Sequence, residues 1–202
     1  MSKKSFLLES FEHLVQKAPN RQPDASDTIE SIYSAVNRYF PSRHSHRMLV
    51  NALVELVFNR AIELIAIGQY PSAYIELHAL LEDIAIVLLG KQISVKGHQK
   101  MVADILKRKT LSDIAPYYKD LGYWSQSDVA FVKKLAGIRN GVAHRNFDLL
   151  AKHLPSKKED RDLDSFHFDL SKTVETFARV VSLTVQISRP HKRAYRGWRV
   201  AN

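Results

Sequence analysis

Glycine and proline are sparse in this chain, seven of each in 202 residues, and between them the apolar residues recur at three and four positions rather than at two. That pattern is what a helix needs to keep one stripe of side chains on a core, and it gives a strand nothing to alternate with. The expected fold class is therefore all-α, a helical bundle with an N-terminal helical hairpin and some extra short helices.

The punctuation sets the expected elements. Two helices, about 5–17 and 26–39, form the hairpin; the Ala-Pro-Asn-Arg-Gln-Pro stretch separates them and Pro41 follows the second. A long helix over about 45–67 carries Leu49, Leu53, Leu56, Val57, Leu64 and Ile67 and stops at Gly68. Pro71 suits the first turn of the next helix, about 71–89, which Gly90 is expected to end. Shorter helices follow at about 98–108 and 110–121, the second with Pro116 inside it and expected to be partly irregular. Ser125-Gln126-Ser127-Asp128 has the spacing of a capping box that opens a helix over 125–144. A polar stretch from His153 to Asp164 is read as a solvated connector before a last helix, about 164–188. The domain reading is a hairpin over 1–44, a helical domain over 45–188 and a basic tail over 189–202.

Composition excludes several classes. With 45 % hydrophobic and 25 % charged residues the chain is an ordinary globular mixture, neither disordered nor collagen-like. It has no cysteine, which removes disulfides, iron–sulfur clusters and thiol nucleophiles and suits a reducing, cytoplasmic compartment. The first fourteen residues hold only a three-residue apolar run, so no secretory signal is expected. Glu55, Arg60 and Glu63 interrupt one apolar stretch, and Glu76, Glu82 and Asp83 the other; neither suits a bilayer.

The formal charge is +9, and its distribution says more than its size. Residues 84–145 hold eleven basic against four acidic side chains, 189–202 five against none, and 149–188 six against six. An excess concentrated in this way is the footprint of an anionic partner such as RNA.

Within the basic stretch, residues 135–144 read Leu-Ala-Gly-Ile-Arg-Asn-Gly-Val-Ala-His. On a helix, Phe131, Leu135, Ile138 and Val142 share one apolar stripe that must face the core. The opposite arc runs Arg139, Ala143, Ala136, Asn140, His144, Gly137. Small side chains there let another backbone come close, where an idle surface helix would carry Glu, Lys and Gln. Asn140 and His144 are one turn apart, and Arg139 is about 140° around from His144. A two-fold copy of the helix would bring both arginines and both histidines into one groove. Arginine offers a planar charged fork to phosphate oxygens, and histidine exchanges a proton near neutral pH. The plainer reading pairs Arg139 with a carboxylate such as Glu82 and leaves His144 at the helix C-terminus. Lys133, Lys134 and Arg145 flank the motif and are candidates for steering substrate. Arg43, His44, His46 and Arg47 cluster ahead of the long helix; they are read as an RNA-backbone contact or a solvated turn, and His44-x-His46 lacks a third metal ligand nearby. His78 is expected at the edge of the core.

Arg139-Asn140-x-x-x-His144 resembles the signature of the HEPN superfamily, an Arg and a polar residue followed by His near the end of a late helix in an all-α bundle. Gly68-x-Tyr70-x-x-Ala73 and Leu80-Leu81-Glu82 are similar to the second core helix of its prokaryotic members. The resemblance spans roughly residues 45–188. It implies a homodimer whose paired motifs form a metal-independent endoribonuclease centre, with no cofactor, in toxin–antitoxin or phage-defence systems. Arg139, Asn140 and His144 would be the catalytic set and RNA the substrate. An antitoxin or a nucleotidyltransferase would be the regulatory partner. Members controlled by AMP transfer carry Tyr two residues after the His, where this chain has Asn146, so that route of control is not expected. The helical layout is also distantly similar to the mannitol-operon repressor family, which implies the alternative of a catalytically inactive nucleotide- or RNA-binding regulator.

Overall fold

The computed structural model describes residues 25–39, 57–93, 104–106, 108–155, 166 and 168–188. Among them the fold is all-α, with no strand: α1 (Ala25–Tyr39), α2 (Asn59–Ala66), α3 (Tyr70–Ile93), α4 (Leu111–Asp120), α5 (Gln126–Ala143), α6 (Phe147–Ala151) and α7 (Leu170–Ser188). The expected helix at 5–17, residues 45–56 of the next long helix, most of 98–108, the Arg43–Arg47 cluster and the tail from 189 lie outside the described residues. No described helix is long and apolar enough to cross a membrane.

The chain clusters into two compact units, Met1–Leu80 with Lys134–Ser182, and Leu81–Lys133 with Leu183–Asn202. In the first, α1 buries Ile29, Ile32, Ala35 and Val36 at helical spacing and lies against α2, which buries Ala61, Ile62, Ile65 and Ala66. Of the helix expected over 45–67, the described part is α2, which begins after Phe58; the fully buried ring of Phe58 meets Phe177 edge-on at 5.6 Å. Tyr74 packs on Phe168 in the same way at 5.6 Å and receives a hydrogen bond from the Thr176 hydroxyl at 3.3 Å. The expected core-edge histidine, His78, is buried at 5 % exposure.

In the second unit, Tyr118 organises the packing. Its hydroxyl donates to the Ala85 carbonyl at 2.7 Å, and its ring touches those of Tyr123 and Trp124. Burial pushes that hydroxyl well above the usual tyrosine range. Helix α4 runs unbroken through Pro116, which lies on its exposed side, and its start is doubly secured. Thr110 and Asp113 form a capping box, and the Glu82 carboxylate accepts the Leu111 N–H at 2.6 Å. Gly90 does not end α3, which continues to Ile93; its φ is not positive, and a side chain there would meet Leu106 Cδ1 at an ordinary contact distance of 3.4 Å.

Three helices end in the same turn. After α2, Gly68 N donates to Ile65 O at 3.1 Å and Gln69 N to Leu64 O at 2.8 Å. After α4, Gly122 N donates to Lys119 O at 2.8 Å and Tyr123 N to Tyr118 O at 2.9 Å. Both are Schellman turns, with glycine at the left-handed position, φ 75° at Gly68 and 78° at Gly122. The third, after α5, has no glycine at that position.

Candidate functional site

Helix α5 opens as its sequence predicts. Ser125 N donates to Asp128 Oδ2 at 2.9 Å and Asp128 N to Ser125 Oγ at 3.2 Å. The expected stripe is seated: Leu135, Ile138 and Val142 are buried, and Phe131 is half-buried. Burying that stripe fixes the rotation of the helix and sends Asn140, Ala143 and His144 to the exposed side, with Arg139 half-buried.

Arg139 and Asn140 form one unit. Arg139 Nη1 donates to Asn140 Oδ1 at 2.8 Å. On bare helical geometry Arg139 would project about 140° away from His144; this bond draws the guanidinium around the helix toward Asn140, which lies between the two in that arc. Asn140 thus holds Arg139. The His144 imidazole is exposed and makes no hydrogen bond with a described residue. Glu82, the carboxylate named as a partner for Arg139 in the plainer reading, accepts the Leu111 N–H at the start of α4.

The motif ends in strain. Arg145 N donates to Val142 O at 3.2 Å and Asn146 N to Gly141 O at 2.8 Å, the same Schellman pair as at Gly68 and Gly122. The left-handed residue here is Arg145, at φ 50°, the only non-glycine with positive φ among the described residues. A side chain at such a position crowds the following carbonyl, at roughly 1–2 kcal/mol. Lys133, Lys134 and Arg145, the three flanking cations, are all exposed.

Two features escaped the sequence reading. Helix α6 follows the turn at once, with Asn146 Oδ1 accepting the Leu149 N–H at 3.0 Å as its N-cap. Asn146, at the position where the resemblance noted above would call for Tyr in members controlled by AMP transfer, therefore has a structural task. From α6 and its last turn, Leu150 and His153 fold back on α5. A Cβ on Gly141 would lie 2.5 Å from Leu150 Cγ and 2.7 Å from Cδ2, and one on Gly137 would fall into the His153 ring, 2.5 Å from Cδ2 and 3.0 Å from Cε1. The close approach predicted for this face is real, but at both glycines the approaching group belongs to the same chain. The part left open is the arc of Arg139, Ala143, Asn140 and His144. His153 was read as the start of a solvated connector; it is half-buried instead, and burial, with Lys134 and Lys152 nearby, pulls its pKa below the usual histidine value. Leu154 is buried and Pro155 exposed, while Phe166, beyond the connector, is buried and stacked on Phe147 at 6.2 Å. Helix α7 starts at Leu170 rather than near 164, because Asp169 caps it: Lys172 N donates to Asp169 Oδ1 at 2.7 Å.

Among the described residues no group of three His, Asp or Glu side chains has a metal-binding arrangement. Comparison with known families, characterised proteins and solved structures finds no match to this chain.

Proposed function

We infer that the protein is an RNA-cleaving enzyme of HEPN type, a metal-independent endoribonuclease in which two copies of the α5 motif face each other across a homodimer, with a role in prokaryotic defence or toxin–antitoxin control. The observation that carries this reading is the bonded Arg139–Asn140 pair at the end of one helix, followed by an exposed His144 whose ring is hydrogen-bonded to none of the described residues.

In that reaction Arg139 binds the scissile phosphate and offsets the charge that builds on its oxygens. One His144 removes the proton from the ribose 2′-OH, whose oxygen attacks phosphorus; the P–O5′ bond breaks, and the partner's His144 gives its proton to the leaving oxygen. The products are a 2′,3′-cyclic phosphate and a 5′-OH. Lys133, Lys134 and Arg145 draw the strand toward the motif.

The test is RNA cleavage in EDTA by wild type, Arg139→Ala and His144→Ala, with a deoxy substrate as control. Cutting by wild type alone, with no cutting of the deoxy strand, is expected. Cutting that survives in both variants, or on deoxy substrate, overturns the mechanism. One observation favours the regulator reading: Leu150 and His153 of the chain itself occupy the two glycines of the small-residue face, which shortens the surface left for a second copy. RNA binding without cleavage is the outcome that selects it.

A further inference from the structure

The reaction just described uses Arg145 only as one of three attracting charges, and that use does not account for where it sits. Three described helices end in the same pair of backbone hydrogen bonds, and at two of them the left-handed position is Gly68 or Gly122. At the third it is Arg145, at φ 50°, where a Cβ crowds the following carbonyl. The chain thus carries a standing loss of stability to keep a side chain there. The backbone of that side chain is held from both sides. Arg145 N donates to Val142 O at 3.2 Å and Asn146 N to Gly141 O at 2.8 Å, while Asn146 Oδ1 accepts the Leu149 N–H at 3.0 Å. Helices α5 and α6 together therefore set the direction of the Arg145 Cα–Cβ bond. The side chain is exposed, and its guanidinium is bonded to no described residue, Asp148, the nearest acid in the sequence, included.

Neither of the plainer uses of a cation needs that position. Attraction of a strand from a distance acts over a screening length of about 8 Å, so a charge at the exposed, helical Ala143, or those already on Lys133 and Lys134, would serve without strain. The helix dipole would equally be complemented from the last turn of α5, which has no basic residue. What does depend on position is a direct bond. We propose that Arg145 holds a backbone phosphate of the bound strand as a fixed contact, on the side of His144 away from Arg139. The inference rests on the RNA reading for the identity of the strand. Arg139, His144 and Arg145 follow one another along α5 and its terminal turn, so the two guanidinium groups bracket the histidine in chain order. A planar fork takes two oxygens of one phosphate, and a fork on a fixed backbone gives up little freedom in doing so. Held at two points, the strand cannot slide past His144.

The test is stopped-flow binding of a short fluorescein-labelled 2′-O-methyl oligonucleotide, whose blocked 2′ oxygens prevent cleavage, to the full chain and to its Arg145→Lys and Arg145→Ala variants. Lysine keeps the charge and the Cβ but loses the fork. Arg145→Lys is expected to associate at the wild-type rate and to dissociate about threefold to tenfold faster. Arg145→Ala is expected to dissociate at least as fast and to lower the salt slope by about 0.7, the share of one phosphate on a single strand. Circular dichroism establishes that both variants are folded. A dissociation rate unchanged in Arg145→Lys, or an Arg145→Ala effect confined to association, overturns the contact and leaves Arg145 a steering charge. An oligonucleotide that wild type does not bind overturns it as well. None of these readouts needs cleavage, so they separate the two ideas: faster dissociation from Arg145→Lys in a protein that never cuts RNA refutes the nuclease and keeps the contact, and cutting with an unchanged dissociation rate does the reverse.

Discussion

Replacing Arg145 with glycine is expected to make the protein more stable while removing a cation from its candidate site. Arg145 has the same two backbone hydrogen bonds as Gly68 and Gly122 in their turns, but at φ 50° it holds a Cβ where they hold none. Relief of that crowding contributes about 1–2 kcal/mol. Glycine also gives the unfolded chain more freedom, which takes back about 0.4–1 kcal/mol. The net gain is therefore roughly 0.5–1 kcal/mol, or about 1–4 °C in Tm for a chain of this size. The comparison that isolates the backbone effect is Arg145→Ala, which loses the same charge and keeps the strain. In urea unfolding at constant m-value, Arg145→Gly should exceed Arg145→Ala by about that amount, while Gly122→Ala, the reverse change in the twin turn, should lose about 1 kcal/mol. Binding to RNA should fall equally in both Arg145 variants. An Arg145→Gly protein no more stable than Arg145→Ala would show that the turn carries no strain. Unequal loss of RNA binding would show that Arg145 acts through backbone shape rather than charge.

Two further expectations concern the packing of α6. Gly141→Ala should destabilise the fold by up to about 2 kcal/mol, overpacking of about 1–3 against Leu150 less about 1 gained in helix propensity; combined with Leu150→Ala the two losses should be clearly less than additive, and simple additivity in a double-mutant cycle would refute the contact. Stability should also fall on acidification through His153. Its folded pKa is below the ordinary 6.5, so as pH drops past 6.5 the unfolded chain takes up the proton first and the native state loses stability until the folded pKa is passed, below which the difference is constant. Histidine 153 replaced by glutamine should flatten that part of the urea-midpoint profile, and an unchanged slope would refute the assignment.

How far the fold could be read in advance varied with the kind of signal. Elements long enough to repeat their apolar period, or closed by a chemically specific cap, were legible: α1 within a residue of expectation, the Ser125–Asp128 box, the Gly68 stop and the buried Leu135–Ile138–Val142 stripe. Helix α6 was not, because five residues are too few to show a period, and its only signal, Asn146 as N-cap, is also a common loop residue. Gly90 does not end its helix because a glycine sits within a helix as well as after one, and the backbone angle that distinguishes the two, positive at Gly68 and Gly122 and not at Gly90, is not written in the sequence. A related ambiguity governed the motif itself. Gly137 and Gly141 announced that something comes near α5, but a helix face cannot state whether its neighbour is the next segment or a second molecule. The bond between Arg139 and Asn140 was out of reach for a related reason: adjacent helical residues point about 100° apart, and only a flexible arginine can close that gap.

Asn140 is followed directly by Gly141, the pairing in which an asparagine amide most readily closes on the next backbone nitrogen and hydrolyses to aspartate or isoaspartate. Ring closure requires that nitrogen to turn onto the side-chain carbonyl carbon, which a helical backbone forbids, and Gly141 is kept helical beneath Leu150. The reaction can therefore proceed only in molecules whose helix end has opened. Deamidation at residue 140 in a stored sample becomes a chemical clock for that opening, and each tick leaves a carboxylate facing the Arg139 guanidinium, so that aged protein carries one positive charge less where the strand would bind.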